Sequence, residues 1–403
     1  MIRRSTLRSA ALVTMALALL TGGCAFVTAP ASVDSTGSAI CLPNPPASAA
    51  AYQAVFSTRG PVWAGGDGAA PVALPDGRVL WLFGDTIIGG VGATAKLVGS
   101  WHLIHSSFLV QTGRCFAVVV GSPTGTRTSV IPEASGGRWY WPNSGYYDPV
   151  SNRVVLFAYE VMSDPTQPAG WQWKVTKMVE VRLSYPSLDV VDVQPLPFSV
   201  AAGAPMLGAT TIVDAGWVYV YGASTSGEYV ARSALGSSAS GPWSYWSSSG
   251  WQTSSGSASQ MAVTGQGSVS PWTVVGRGGS YLAVGKTWDA VSDDVWSWSG
   301  PSPTGPWTSL GRVATTPTAG GVFSYGGKVA NLPGAGMSVI YSTNTSLSAV
   351  AGNVLLYGPK VLPYVPAAAG TSAARAPALS ATPAVPSRVP TLLSGVGHTV
   401  PGG

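Results

Sequence analysis

The chain has 403 residues, a formal net charge of +5 and only 9 % charged residues. Its 21 Lys and Arg are scattered without a basic stripe, which excludes a nucleic-acid-binding surface. Both ends discount themselves on composition, and the middle is long enough for one large β domain or two smaller ones.

Residues 1–24 carry Arg3, Arg4 and Arg8 ahead of an apolar run, Ala10 to Leu20. That run is too short to span a bilayer, so the segment reads as an export signal. Its end, LLTGGC, resembles the lipobox of bacterial lipoproteins, with Thr21 where that pattern usually has Leu. The resemblance implies that Cys24 becomes the lipidated first residue, which places the protein outside the cytoplasm and touches the membrane only through the anchor. Cleavage and secretion without lipid is the alternative. Residues 25–50 read as a linker, 51–365 as the folded domain, and 366–403, rich in Ala, Pro, Ser and Gly, as a disordered tail. With Cys24 set aside, Cys41 and Cys115 are an even pair in an exported chain, so a disulfide is expected, two free thiols being the alternative.

Within 51–365 helical periodicity is almost absent. The runs RVLWLFG, RVVLFAYEV, WVYVYGAS, YLAVGKTW and MSVIYSTN, cut by Gly, Pro, Asn, Asp and Ser, predict an all-β domain. An order of two strands followed by a GPW segment recurs: WVYVYG (217–222), EYVARS (228–233) and SASGPWSYW (238–246), then YLAVGKTWDA (281–290), VWSWS (295–299) and PTGPWTSLG (303–311). Blocks near 60–115, 131–195, 205–252, 257–312 and 317–357 each hold three or four strand candidates. Repetition on this scale predicts a five-bladed β-propeller, with a pair of two-sheet sandwiches as the alternative.

Acids are few enough to weigh singly. Asp76, Asp148, Asp164, Asp214, Asp293 and Asp294 lie in turn contexts, where Asp accepts backbone hydrogen bonds. Asp67 and Asp85 are different. In Leu74-Pro75-Asp76-Gly77-Arg78, Pro and Gly fit a three-residue hairpin loop closed by a left-handed glycine. That loop pairs 74 with 78, 72 with 80, 70 with 82 and 67 with 85, which puts the two carboxylates side by side. Pro71 could shift the register through a bulge, and a two-residue loop would leave the carboxylates on opposite faces. Close carboxylates repel and raise one pKa, which suits proton transfer; two turn-capping aspartates is the alternative.

VALPDGRVLWLFGDT, the two SxxGPW strand ends and SVIYSTN (338–344) together resemble a family of five-bladed glycosidase propellers that includes bacterial endo-D-arabinanases. That family is distantly similar to the arabinanase and β-xylosidase propellers. The resemblance covers most of 55–357 and is strongest in the first blade. It implies a glycoside hydrolase acting on arabinofuranosyl polymers such as cell-wall arabinan, with Asp67 and Asp85 as the acid–base pair, a polysaccharide partner, no cofactor and no metal. By analogy with three-carboxylate sites, Glu133 or Glu160 could add a further acid. Related propellers often carry a His near YGGKVANLP, where this chain has Lys328 and Asn331.

In WYWPNSGYYDP (139–149), Trp141 before Pro142, with Trp139 and Asn143, is expected to grip a sugar chain; packing between blades is the alternative for each aromatic. His105 is expected to point back toward the first-blade site. His102 and His105 fall on opposite strand faces, which argues against a metal pair. No GxSxG elbow or phosphate-binding glycine loop is present. The chain is read as a monomer, and a non-catalytic carbohydrate-binding or structural surface lipoprotein is the alternative function.

Overall fold

A computed structural model of the chain describes residues 39–366, apart from 60–61, 122–125, 167–172, 238, 266–270, 287–292 and 317–320. The export signal, Cys24, residues 25–38 and the tail beyond 366 lie outside the described residues.

Among the described residues, the β-branched and aromatic runs form strands as expected, arranged in six sheets. Five of the six follow the predicted blocks. Each contributes one strand to a common cavity of about 330 Å³: Ala70–Ala73, Arg138–Asp148, Met206–Asp214, Thr273–Arg277 and Phe323–Leu332. These inner strands run in one direction. Ser144 Oγ donates to the Gly208 carbonyl at 2.8 Å, and further along both strands Thr211 Oγ1 donates to the Gly145 carbonyl at 3.1 Å. Their N-terminal ends therefore gather at one end of the ring.

Apolar faces pack sheet against sheet around this axis. Val72 and Leu80 of the first sheet meet Tyr140 and Leu156 of the second. Phe157 and Met178 of the second meet Val218 and Trp243, and Tyr221 of the third meets Trp272 and Trp298 of the fourth. Leu282 and Val295 meet Val329 and Val339 of the last sheet, and Ile340 and Val361 of that sheet return to Trp81 and Phe83 of the first. The two GPW triplets adopt the same turn, with Gly241 and Gly305 at φ 72° and 85°, and bury Trp243 and Trp307.

Two features depart from the sequence reading. The sixth sheet, Trp63–Gly66, Thr86–Val91 and Leu97–Ile104, takes strands from the first block. The first block thus splits in two, and its hairpin crosses from one sheet to the other at residues 67–69 and 84–85. Second, the last part of the expected linker, residues 39–50, is part of the fold. Ala39–Cys41 pairs with Cys115–Val119 as the outer edge of the first sheet, and a helix, Ala49–Ser57, begins before residue 51. Ser48 caps that helix by accepting from the Ala51 amide at 3.1 Å. Tyr52, Val55 and Phe56, spaced at three and one, bury one face, with the Tyr52 and Phe56 rings 5.6 and 5.0 Å from Trp81.

Cys41 and Cys115 are directly opposed in register and joined by a disulfide. It closes a loop whose ends lie 74 residues apart, so its removal frees an unfolded chain it otherwise constrains. The double substitution Cys41→Ala, Cys115→Ala is expected to lower the unfolding free energy by about 2–4 kcal/mol. Urea denaturation of the purified protein checks this, and an unchanged midpoint would contradict it.

Candidate active site

The hairpin has the register its turn predicts. Ala70 faces Leu82, Val72 faces Leu80, and the Leu74 amide donates to the Arg78 carbonyl at 2.9 Å around Gly77, whose φ is 83°. Asp76 is a turn residue, accepting from the Arg78 amide and guanidinium. Pro71 lies opposite Trp81 without a bulge, because Ala70–Ala73 is the sheet's free inner edge, where a missing N–H costs no ladder bond. Beyond the strand the pairing continues: the Asp67 amide donates to the Asp85 carbonyl at 3.1 Å, and the Gly84 amide donates to the Asp67 carbonyl at 2.9 Å. Both aspartates thus sit where the hairpin crosses between sheets. Gly84 is needed there, since a Cβ at this position would lie 2.7 Å from Asp67 Oδ1.

The two carboxylates have different surroundings. Asp85 is 6 % exposed, and its Oδ1 accepts from Trp141 Nε1 at 2.8 Å and meets His105 Nδ1 at 2.9 Å. Burial works against a charged His105, but the hydrogen bond and charge of Asp85, helped by Glu133 and Asp67, outweigh it and raise the imidazole pKa. His105 in turn stacks on Trp139, with ring centroids 4.4 Å apart. Asp67 keeps some contact with solvent. Tyr325 donates to its Oδ2 at 2.5 Å, and Tyr357 donates to the neighbouring Asp85 carbonyl at 2.6 Å. Desolvation and then the charge of Asp85 push Asp67 up to about 7, against the pull of Tyr325, Tyr357 and Lys328.

Asp85 is held by two ring donors and is buried, whereas Asp67 keeps contact with solvent and its carboxyl is the one whose pKa is pushed up. Of the residues expected to hold sugar, Trp141 lies at the site but uses its indole N–H on Asp85. It packs edge-to-face on the partly exposed Trp173 at 4.8 Å. Trp139 is 4 % exposed and supports His105, so it offers no face to a ligand. The Asn143 side chain is turned onto the Trp141 carbonyl at 3.0 Å. His102 bonds the Arg127 carbonyl, away from His105's partner, as strand alternation requires.

Glu160 is buried among Thr176, Tyr140, Arg138 and Lys177, a structural network in the second sheet. Glu133 is exposed, and its Oε1 accepts from Ser129 Oγ, whose oxygen also receives the His105 amide. Sequence reasoning missed Tyr325, Tyr357 and Trp173. Tyr325 opens the inner strand of the last sheet, and the common direction of inner strands was the signal that could have placed it near Asp67.

Fold and site together define a ring of sheets with a carboxylate pair at one end, Asp85 buried and Asp67 half-buried. Residues 50–353 match the family described as a domain of unknown function, DUF5005, and the chain belongs to that family. Among solved structures it is similar to a putative hydrolase from Bacteroides ovatus, with 18 % identity and a TM-score of 0.62 over 80 % of this chain and 93 % of that one, which shows a shared fold. More distant are the GH43_1 enzyme from Xanthomonas citri complexed with xylotriose (14 % identity, TM-score 0.44, 77 % and 90 % covered) and a glycoside hydrolase family 43 arabinoxylan arabinofuranohydrolase from Bacillus subtilis (17 %, 0.45, 77 % and 65 %). None of the curated proteins matches the chain.

Raising Asp67 from 3.8 to about 7 means the folded protein binds more protons than the unfolded chain between those values, so stability falls as pH rises through that window. Asp67→Asn removes this term. It is expected to raise Tm at pH 8 relative to the wild type, with the gain shrinking toward pH 4. Calorimetry at both pH values checks the sign, and a loss of Tm at pH 8 would contradict it.

Proposed function

We propose that this protein is a glycoside hydrolase on a five-bladed β-propeller, the small sixth sheet being an extension of the first blade. The observation that carries the reading is the register-enforced pair Asp67 and Asp85, held together where the hairpin crosses between two sheets. Asp67, poised at about 7 and partly exposed, can protonate a leaving glycosidic oxygen or take a proton from attacking water. Asp85, held by His105 and Trp141, supplies a fixed negative charge that adds to the effect of burial in raising Asp67's proton affinity and favours positive charge developing on the sugar ring. Trp141 and Trp173 form an aromatic wall beside the pair, the kind of surface on which sugar C–H faces stack.

The first-blade motif supports arabinofuranosyl polymers, such as cell-wall arabinan, as the substrate class. The protein works as a monomer outside the cytoplasm, tethered through a lipid on Cys24; the Cys41–Cys115 disulfide fits an oxidising compartment. Cys24→Ser is expected to move it from the membrane to the soluble fraction of fractionated cells, and retention of the variant on membranes would contradict the anchor.

Release of reducing ends from purified arabinan tests the activity. Asp67→Asn is expected to lower kcat by at least about 100-fold, the usual contribution of a general acid or base, while polysaccharide binding persists. Binding without hydrolysis by the wild type across arabinan, xylan and related polymers would replace the enzyme reading with that of a binding protein.

A further inference from the structure

Lys328 lies on the inner strand of the last sheet, and its residue is 8 % exposed. Its ammonium donates to the Gly68 carbonyl at 2.6 Å and to the Asn143 carbonyl at 3.2 Å. Three inner edges of the ring thus meet at one cation: the approach to the first, the middle of the second and the middle of the last. Gly68 follows Asp67 directly, and its amide donates to Ser342 Oγ of the last sheet at 3.1 Å. The backbone at Asp67 is consequently held from both sides, by Asp85 and Gly84 within the hairpin and by Lys328 and Ser342 from across the ring.

Burying an ammonium is costly, and for stability alone an apolar side chain of similar length would serve as well or better. The cation has an electrostatic consequence that an apolar residue lacks, because it sits on the Gly68 carbonyl, next in the chain to Asp67, and its charge acts on that carboxylate. We propose that Lys328 is a positioning residue for Asp67: a built-in cation beneath the carboxylate pair that locks the Gly68 carbonyl and allows Asp67 to give up its proton. The proposal rests on Asp67 being the proton-exchanging group of the site. The other groups facing Asp67 are Asp85 and His105 from the first block, Tyr325 beside Lys328, and Tyr357. Of these, Asp85 repels the ionised form. Lys328 itself is lowered to about 8 by desolvation, against the opposing charge of Asp67. Its charge is therefore present where Asp67 titrates and is lost just above.

Carbon-13 NMR of protein labelled at Asp carboxyl and Lys ε positions tests this without any substrate, so its outcome is separable from whether arabinan is hydrolysed. The Asp67 resonance is identified by its loss in Asp67→Asn. In Lys328→Met, or in Lys328→Gln should the first variant fold poorly, the Asp67 midpoint is expected to rise by about one unit, the scale set by a nearby opposite charge. In Lys328→Arg it should stay near the wild-type value. In the wild type itself, Lys328 should titrate near 8 and the Asp67 carboxyl should show a second inflection there. An unchanged Asp67 midpoint in both neutral variants, or a wild-type Asp67 curve blind to Lys328, would overturn the proposal.

Discussion

Repulsion between two carboxylates that the backbone forces together is the constraint around which this site is organised. The Asp67 amide bonds the Asp85 carbonyl, so neither residue can move away without breaking the crossover between two sheets. Water screens the pair only weakly, since Asp85 is buried and Asp67 is half-buried. The protein answers with fixed partners of opposite polarity. An imidazole and an indole N–H hold Asp85, and a tyrosine hydroxyl and a nearby ammonium favour the ionised form of Asp67. The result is an asymmetric pair, one carboxylate pinned and the other left with a proton affinity near neutrality.

That arrangement depends on the ring of sheets in a specific way. The hairpin supplies the aspartates, but their partners arrive from distant parts of the chain: Trp141 from the second sheet, Tyr325 and Lys328 from the last, Tyr357 from the segment leading into the final strand. Apolar packing brings these edges to one mouth. The helix Ala49–Ser57 contributes by filling the wedge between first and last sheets with Tyr52, Val55 and Phe56. Without that closure the carboxylates would remain together but lose the donors that differentiate them.

Local chemistry was legible in the sequence to the extent that it is encoded locally. Pro75-Asp76-Gly77 determines a turn, and the turn determines the register out to residues 67 and 85. The repeated GPW segments marked two equivalent sheets, and the even cysteine pair marked a bond. What escaped was non-local. Lys328 and Tyr325 lie some 260 residues from Asp67, and nothing in their own neighbourhood says which face they serve. Trp139 and Trp141 share a strand face by alternation, yet one is a buried support and the other lines the site, a difference made by His105 from another sheet. The helix was passed over because its apolar spacing is carried by three residues in an alanine-rich segment adjoining a proline-rich one.

The central claim is that burial, and after it the charge of Asp85, holds Asp67 near neutrality. Titration of the Asp67 carboxyl in the wild type and in Asp85→Asn addresses it most directly. The account predicts a wild-type midpoint near 7 that falls clearly when Asp85 is neutralised. A wild-type midpoint in the ordinary carboxylate range, or one unmoved by Asp85→Asn, would contradict it.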